Sequence, residues 1–442
     1  MTTPKSRQND RPRPILTMMN GGGRTTFNDY LGSPNNTLTP TKQRPSRNVT
    51  SSDGTKLFTV WPMSLDTREC NDVVHTSVSI PPAVQIILDS PPVQRLVNLK
   101  QLGCAFNTYP CATHTRKEHS LGVMELAGKV GIHLQSEQPT LGITDKDILC
   151  LRMAGLCHDL GHGPNSHVYE SFLKAVYKNE HDHPELYEER DRQFKSEFGI
   201  DMPPLPKHYE HERTSLMMID FALASVGLEI DWNRLDEPLK QIGNGIDCDK
   251  FGVVGRNTND ECIPFTSRDW IFIKECIMAT PLDTPDAPSR QLTFIGRPEK
   301  EYLYDIVSNR YSGLDVDKID YYDRDSLAAF GSKRGELQVF LREATVAWGK
   351  CPDIKQSYKC MSHPIDPELN LMICYPSKLV EAAMDFFSQR KKNHAAIVSV
   401  SCYFFVFKHC VPDELCLIKT LLLFYFSTRT KRQKLQNVSS MT

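Results

Sequence analysis

Apolar residues recur at helical spacing in the middle of the chain, and polar signals mark where the helices start and stop. Thr144 offers a hydroxyl cap and Asp147 a carboxylate three residues later, which is the pattern of a helix start. Residues 148–156 are apolar around much of a helix surface, so this helix is expected to be buried. Gly161 and Gly163 then end it. The pattern predicts a buried helix that runs into a short polar turn.

The same signals predict further helices on both sides of this one. Residues 84–88 lead into Asp89-Ser90-Pro91-Pro92, which is a helix break followed by a new helix start. Residues 171–205 open with a helix and then turn strongly charged after residue 181, which predicts a surface insertion, and the polar stretch 244–267 is expected to be a loop. Other helices are predicted at 216–223, 269–277 and 380–387.

The first 68 residues differ from the rest of the chain in composition. They are rich in Pro, Thr, Ser, Asn and Gly and have no apolar periodicity, which predicts a disordered arm. The arm holds more Lys and Arg than Asp, and Arg11-Pro12-Arg13 forms a basic patch. This patch is either a nuclear-import element, a contact for nucleic acid, or simply part of a solvated tail.

The last segment, residues 395–442, also stands apart. Its apolar run 395–407 is too short to span a bilayer, and charged residues separate it from a second apolar run at 421–426. The basic end that follows suits a helix on an anionic membrane surface, but it equally suits a solvated terminus. We expect a truncated or mis-spliced version of a longer protein, because the sequence pattern described below stops abruptly at His394.

Composition narrows the class of protein. The 442 residues carry a formal net charge of −2, so a site for a polyanion must be local rather than spread over the surface. Fourteen cysteines are scattered without a Cys-x-x-Cys pair, and residues 1–10 are polar and unlike a secretory signal. Reduced thiols in the nucleus or cytoplasm are therefore expected.

A His-Asp pair sits where the buried helix ends. His158 and Asp159 offer one imidazole nitrogen and one carboxylate oxygen, a donor set that suits Fe, Mn, Zn or Mg. A buried carboxylate is costly without a partner. An isolated His-Asp pair is usually only a hydrogen bond at a helix end. Here, however, His119 lies upstream and Asp317 downstream, and the order His, His-Asp, Asp predicts a metal site.

This order of ligands is that of the HD phosphohydrolase superfamily, and the surrounding residues resemble the SAM-and-HD-domain deoxynucleoside triphosphate triphosphohydrolases. The resemblance covers residues 69–394, in order and with few gaps. It implies one transition metal, Fe, Mn or Zn, held by His119, His158, Asp159 and Asp317. The matching pieces are Gln94-Arg95-Leu96, Lys100-Gln101-Leu102-Gly103, Arg116 with Glu118 to Val123, Ala154 to Pro164, Tyr302 to Asn309, and Asp315 to Lys318 with Asp320-Tyr321.

Helical spacing supports several of the roles that the resemblance implies. Arg116 lies three residues before His119 and would share its helix face, as a clamp for a phosphate near the metal. Asp317, Tyr321 and Asp325 are spaced by four and would line another face.

The resemblance itself implies the sugar contacts, with Leu102 against a 2′-hydroxyl and Gln101 on a 3′-hydroxyl. The residues expected to bind substrate are Gln101, Leu102, Arg116, Lys318, Tyr321, Asp325, Arg390 and His394.

The implied reaction is hydrolysis of a deoxynucleoside triphosphate to deoxynucleoside and inorganic triphosphate. A water whose pKa the metal lowers would attack the α-phosphorus, and Mg²⁺ would accompany the phosphates. Arg116, Lys318 and Arg390 would neutralise the developing charge. One of His162, His167 and His211 would protonate the 5′-oxygen.

Some positions depart from the family pattern. Asp89 and Gln94 match a site for an activating guanine nucleotide, GTP or dGTP, but the Arg expected three residues after the Gln is Val97. After His394, Val398 and Ser401 replace a Tyr and a Lys of the family. The helical SAM module and the large C-terminal lobe are not found in this sequence. Formation of the family's homo-oligomer is therefore open.

The sequence thus predicts three segments and one activity. The segments are a disordered basic arm at 1–68, an HD phosphohydrolase domain at 69–394, and an apolar and basic tail at 395–442. The fold class is all-α, a helical bundle with minor β hairpins and no membrane span. Two alternatives are an HD phosphohydrolase acting on another nucleotide, and an impaired HD protein that binds nucleotide or, weakly, single-stranded nucleic acid.

Overall fold

The computed structural model describes residues 47–50, 56–60, 67–182, 184–199, 209–254, 262–282, 293–335, 337–350 and 369–399. Short 3₁₀ helices join several of the elements. The α-helices of these residues are α1 Pro82–Leu88, α2 Pro91–Gln94, α3 Arg116–Glu137, α4 Asp145–Cys157, α5 His167–Asp182, α6 Pro184–Phe198, α7 His211–Ser225, α8 Ser267–Met278, α9 Val316–Phe330, α10 Gln338–Glu343 and α11 Val380–His394.

Strands occur only as pairs in the described part of the chain. Each pair is antiparallel, and no two pairs join into a larger sheet. The all-α fold class with minor hairpins is therefore confirmed. The pairs are β1 Arg47–Thr50 with β2 Lys56–Val60, β3 Arg68–Asp72 with β4 Thr76–Ile80, β5 Leu228–Glu229 with β6 Lys240–Gln241, β7 Gly252–Val254 with β8 Cys262–Pro264, and β9 Thr345–Lys350 with β10 Leu369–Cys374.

The core forms where α3, α4, α8 and α9 pack together, and one large cluster of buried apolar side chains fills it. Three of these helices begin at a capping box, in which a Thr hydroxyl and a carboxylate three residues later satisfy free backbone N–H groups. The predicted helix start at Thr144 is confirmed, with Asp147 as its partner. Thr115 with Glu118 starts α3, and Thr266 with Asp269 starts α8. These caps fix where the buried helices begin.

Regular structure occurs within the segments that were expected as a surface insertion, a polar loop and a disordered arm. The charged stretch 184–198 is helix α6, because Glu, Arg, Lys and Gln favour helix even without an apolar stripe. The polar stretch 244–267 contains the β7–β8 hairpin. Within the predicted arm, β1 and β2 pair, and the other residues before 67 lie outside the described residues.

Helix α11 reaches His394, beyond the predicted end at 387, and a π-helical turn Ala395–Ser399 follows it. The rest of the predicted tail lies outside the described residues. Among the described helices, none has both the length and the apolar character to cross a bilayer.

Candidate metal centre and substrate cleft

Three helices bring the four predicted metal ligands together. His119 lies in the first turn of α3, His158 caps the C-terminus of α4 with Asp159 next to it, and Asp317 lies in the first turn of α9. Glycines allow these helices to approach closely. A Cβ on Gly122 of α3 would overlap the carboxylate of Asp320 on α9.

Ring nitrogens and carboxylate oxygens converge within this cluster. The Nε2 atoms of His119 and His158 lie 3.2 Å apart. Asp317 Oδ1 lies 3.0 Å from Nε2 of His119 and 3.4 Å from Nε2 of His158. Asp159 Oδ2 lies 3.5 Å and 3.4 Å from the same two nitrogens. Ligands held about 2.1 Å from one ion at right angles are about 3.0 Å apart, so this spacing fits a single divalent metal.

The outer nitrogens of both rings are already hydrogen-bonded, which orients the rings. His158 Nδ1 lies 2.8 Å from the carbonyl oxygen of Gly155, and His119 Nδ1 lies 2.7 Å from Oδ2 of Asp320. Both acceptors require a hydrogen on Nδ1. Each Nε2 therefore faces into the cluster, as in histidines that bind metal through one nitrogen and donate their other N–H to a carbonyl or carboxylate.

Asp320 is itself held in place. Arg324 donates to both of its oxygens at 2.9 Å, and His75 Nε2 lies 2.5 Å from Oδ1. Arg324 also binds Asp72, at 2.8 Å. Sequence reasoning gave Asp320 no role, although its spacing of three from Asp317 puts both on one side of α9.

The cluster attracts positive charge. Burial opposes protonation of His119, but its hydrogen bonds to Asp317 and Asp320 raise its pKa to about 10. Burial likewise opposes ionisation of Asp159, yet Arg116 and neighbouring histidines hold the pKa of this carboxyl well below its usual range. The donor set and its charge thus suit a cation.

Arg116 is tied to the cluster from one side. Its Nη1 donates to Asp159, its Nε donates to Ser166 Oγ at 3.0 Å, and its side chain is 3 % exposed. Lys318, on the opposite wall, donates to Asp315 Oδ2 at 2.6 Å. Both residues still line the open cleft beside the metal ligands.

The three histidines predicted to transfer protons also meet. The rings of His162 and His211 stack with centroids 4.0 Å apart, and the ring of His167 meets both edge-on, with centroids 4.8 Å and 5.3 Å away. Close packing makes this possible, because a Cβ on Gly161 would overlap the backbone carbonyl of His211. Arg95 supports the same turn by donating to the carbonyl oxygens of Leu160 and His162.

The surroundings shift the pKa values of His162 and His211 in opposite directions. Burial and the nearby Arg116 hold the pKa of His162 well below its ordinary value, so its ring is neutral. Burial also opposes the charge on His211, but a hydrogen bond to Glu170 raises its pKa. Glu170 Oε2 lies 3.1 Å from His211 Nδ1 and 3.9 Å from His167 Nδ1. Sequence reasoning missed Glu170, although it lies one helical turn after His167.

An open cleft of about 320 Å³ runs from the metal ligands along α9, a volume within the range of small-molecule sites. Arg390 reaches across it and donates to the hydroxyl of Tyr321. Asp325 binds His114 Nε2 at 2.9 Å. The predicted residues that line the cleft are Gln101, Leu102, Arg116, Asp159, His162, His167, His211, Asp317, Lys318, Tyr321, Asp325, Arg390 and His394.

Comparison with known proteins agrees with this geometry. The model of the HD domain matches residues 116–213, which contain His119, the His158-Asp159 pair and the three-histidine cluster. The chain is 35 % identical over 325 residues to the deoxynucleoside triphosphate triphosphohydrolase SAMHD1 of Homo sapiens. Over the matched residues the chain is similar to SAMHD1, and residues 116–213 match the HD domain.

Two further SAMHD1 proteins are similar to this chain to a comparable degree. The SAMHD1 of Bos taurus is 34 % identical over 276 residues, and the SAMHD1 homolog of Dictyostelium discoideum is 32 % identical over 257 residues. The matches cover 73 %, 62 % and 58 % of this chain for the human, bovine and Dictyostelium proteins, but 40 %, 38 % and 35 % of those proteins. The chain thus spans about two fifths of the length of these relatives.

The candidate activator residues lie on a different surface of this HD-domain protein. Asp89 is exposed after α1, and Gln94 ends α2. The side-chain amide of Gln94 donates to the carbonyl oxygen of Leu88 at 2.7 Å, and its oxygen accepts from Lys117 Nζ at 3.2 Å. Val97 is 45 % exposed and offers no donor.

Proposed function

We propose that this chain is a metal-dependent deoxynucleoside triphosphate triphosphohydrolase that releases deoxynucleoside and inorganic triphosphate. One observation carries the proposal: four candidate ligand atoms converge at one end of an open cleft. The cleft is lined by cationic side chains, by histidines and by a carboxylate that can accept a hydrogen bond from a sugar hydroxyl. The similarity of the chain to the deoxynucleoside triphosphate triphosphohydrolases of Homo sapiens and Bos taurus and to their homolog of Dictyostelium discoideum supports the same substrate class.

The metal would be Fe, Mn or Zn, because the donors are two imidazoles and two carboxylates. His119, His158, Asp159 and Asp317 would hold it. When bound, it supplies a Lewis acid that polarises the α-phosphate and makes a water more acidic. Mg²⁺ would accompany the triphosphate, as it usually does for nucleotides.

The cations of the cleft would bind the phosphates. The guanidinium of Arg116 is fixed by Asp159 and Ser166, so it is already oriented for the α-phosphate. Lys318 and Arg390 lie on the walls of the same cleft and would contact the phosphates further from the metal. Each of the two would exchange an internal partner, Asp315 or Tyr321, for the substrate.

Protonation of the 5′-oxygen would involve His211 and His167. The hydrogen bond that His211 donates to Glu170 favours the charged form of His211, so His211 would carry the proton that is to be transferred. The ring of His167 is 60 % exposed, which suits a group that meets the substrate. His162 is less suited to donate, because its environment keeps it neutral. Its ring would instead hold the ring of His211 in place by stacking on it.

The sugar would lie near Gln101, Leu102, Tyr321 and Asp325. Leu102 is 9 % exposed at the cleft wall and leaves little room for a 2′-hydroxyl. The carboxylate of Asp325 would accept a hydrogen bond from the 3′-hydroxyl, and the side-chain amide of Gln101 would form a second hydrogen bond with it. His394 is exposed at the same wall and would contact the nucleotide from α11.

Further parts of the proposal extend beyond the cleft. Weak binding of single-stranded nucleic acid, formation of a homo-oligomer and location in the nucleus or cytoplasm stay predictions. Activation by GTP or dGTP at Asp89 and Gln94 is expected to be weak, because Val97 offers no donor. The alternatives are an HD phosphohydrolase on another nucleotide and a nucleotide-binding protein without turnover.

The test is product analysis with purified protein, each deoxynucleoside triphosphate and added Mn²⁺ or Fe²⁺. We expect triphosphate release that disappears in His158→Ala and in Asp159→Ala. Orthophosphate or pyrophosphate as the first product would refute the proposed bond cleavage. A folded, metal-loaded protein that binds nucleotide and releases nothing would favour the binding alternative.

A further inference from the structure

The side of the cleft far from the metal ligands contains a histidine to which the proposed reaction gives no role. His114 lies just before α3, and its Nε2 is 2.9 Å from Oδ1 of Asp325 on α9. The two side chains are 9 % and 15 % exposed, although 211 residues separate them in sequence. A contact between such distant residues depends on the tertiary fold.

The backbone fixes His114 relative to a second residue of the cleft. Gln101 N donates to the carbonyl oxygen of His114 at 3.0 Å, within an antiparallel bridge between Lys100 and Thr115. Gln101 and the carboxylate held by His114 both line the cleft. The Oε1 atom of Gln101 is buried and has no hydrogen-bond partner in the described part of the chain.

The hydrogen bond of His114 is directional. A carboxylate only accepts, so Nε2 of His114 must carry the hydrogen. Nδ1 is buried and lacks a partner within the described residues. Burial of a polar atom without a partner is unfavourable, because the atom loses its hydrogen bonds to water. Packing alone therefore does not explain a buried imidazole at this position. Its hydrogen bond to Asp325 is the favourable polar interaction that this ring makes.

Asp325 lies two helical turns after Asp317 on α9, about 12 Å along the helix axis. A nucleotide whose α-phosphate sits at the metal ligands would present its sugar toward this end of the cleft. We infer that His114 is a positioning residue, whose Nε2–H holds the carboxylate of Asp325 as the acceptor for a sugar hydroxyl of the substrate. This inference rests on the proposed function, in which Asp325 contacts the 3′-hydroxyl, and adds that His114 holds that carboxylate in place.

The experiment compares dGTP with its 2′,3′-dideoxy counterpart in three variants. His114→Ala removes the donor to Asp325, and His114→Gln replaces it with an amide N–H of similar reach. His133→Ala is the matched control, because His133 also makes one hydrogen bond, at 3.0 Å to the carbonyl oxygen of Ala344, but lies outside the residues that line the cleft. Thermal melting of each variant reports on folding.

In His114→Ala we expect KM for dGTP to rise about tenfold, with kcat nearly unchanged. KM for the dideoxy nucleotide should change less than about twofold, since that substrate lacks the hydroxyl. His114→Gln should restore most of the loss. An equal loss on both substrates, or none on either, would overturn the inference.

Calorimetric binding of both nucleotides separates this inference from the proposed function. If the wild-type chain binds but does not hydrolyse, and His114→Ala weakens binding of dGTP alone, the reaction is refuted and the role of His114 stands. If the chain hydrolyses dGTP and His114→Ala weakens both nucleotides alike, the reaction stands and this role is refuted. A chain that binds neither nucleotide overturns both.

Discussion

The cluster of candidate metal ligands and the surface around Asp89 and Gln94 differ in the direction of their polar atoms. In the cluster, each imidazole uses its outer nitrogen internally, on Gly155 or Asp320, and directs its inner nitrogen to a common centre. On the Gln94 surface, both ends of the amide are used by the protein itself, through Leu88 and Lys117.

In the first region the side chains are already oriented toward a common centre. In the second region the polar groups are already hydrogen-bonded within the protein. Hydrogen-bond partners outside the cluster hold its side chains at the spacing expected around a bound ion. Little further ordering of these side chains is therefore needed when a metal binds. A guanine nucleotide at Gln94 would first have to displace the ammonium of Lys117, and Val97 adds no donor in return. We therefore expect metal chemistry and nucleotide activation to be separable in this chain.

Loss of a ligand from the cluster should have the largest effect. In Asp317→Ala we expect metal content to fall from about one ion per chain to almost none, and turnover to fall by about 10³-fold or more. Elemental analysis and product release measure the two effects. Asp145→Ala is the control, since this exposed carboxylate lies at the start of α4. Full activity in Asp317→Ala would remove the cluster from the mechanism.

The next test asks whether the support of the cluster matters as much as its ligands. Gly122→Ala places a methyl group against Asp320 and Arg324, so we expect a loss of roughly 3 kcal/mol in the free energy of unfolding and about 10–100-fold weaker metal binding. Gly131→Ala, on the same helix, meets only the side chains of Ile148 and Leu151, at 3.1 Å and 3.3 Å.

For Gly131→Ala the unfolding free energy should change by less than about 1 kcal/mol, because alanine favours helix over glycine. Chemical denaturation and metal titration of both variants measure these effects. Equal effects in the two variants would mean that the approach of α9 to α3 is not what orients His119.

The pair Glu170 and His211 gives a smaller effect with a defined pH dependence. The charged form of His211 is present below its raised pKa and is lost as pH rises through that pKa, so activity should fall on the alkaline side. Glu170→Gln removes the carboxylate that raises this pKa. The alkaline limb of kcat should then move to lower pH, with on the order of tenfold less activity at pH 8. An unchanged limb would exclude His211 as the proton source.

The four candidate metal ligands were predicted from the order of their short motifs and from the resemblance to HD phosphohydrolases, and the structure brings them together. The buried helix 145–157 was predicted from local capping and glycine signals. Residues whose partners are distant could not be found this way: Asp320 meets His75 across 245 residues, and His114 meets Asp325 across 211. Such pairs arise from packing of separate helices and leave no periodic pattern.

Helix α6 and the β7–β8 hairpin were missed for a different reason. Both lie in polar stretches, where hydrophobic periodicity is weak and helix propensity or cross-strand pairing decides. Glu170 lay within reach, since a carboxylate one turn after a histidine is a local signal, but its contact with His211 depends on α5 and α7 meeting.

The smallest expected effect concerns the activator surface. Because Lys117 already binds Gln94 and Val97 is apolar, added GTP should change wild-type turnover by less than about twofold. Val97→Arg combined with Lys117→Ala supplies a donor and frees the amide of Gln94, so GTP should then stimulate turnover about two- to fivefold. The single variant Lys117→Ala separates the two changes. Stimulation of the wild-type chain by tenfold or more would show that this surface binds the nucleotide despite its internal contacts. The proposed difference between the two regions would then be wrong, because Lys117 would exchange Gln94 for the nucleotide with little loss of free energy.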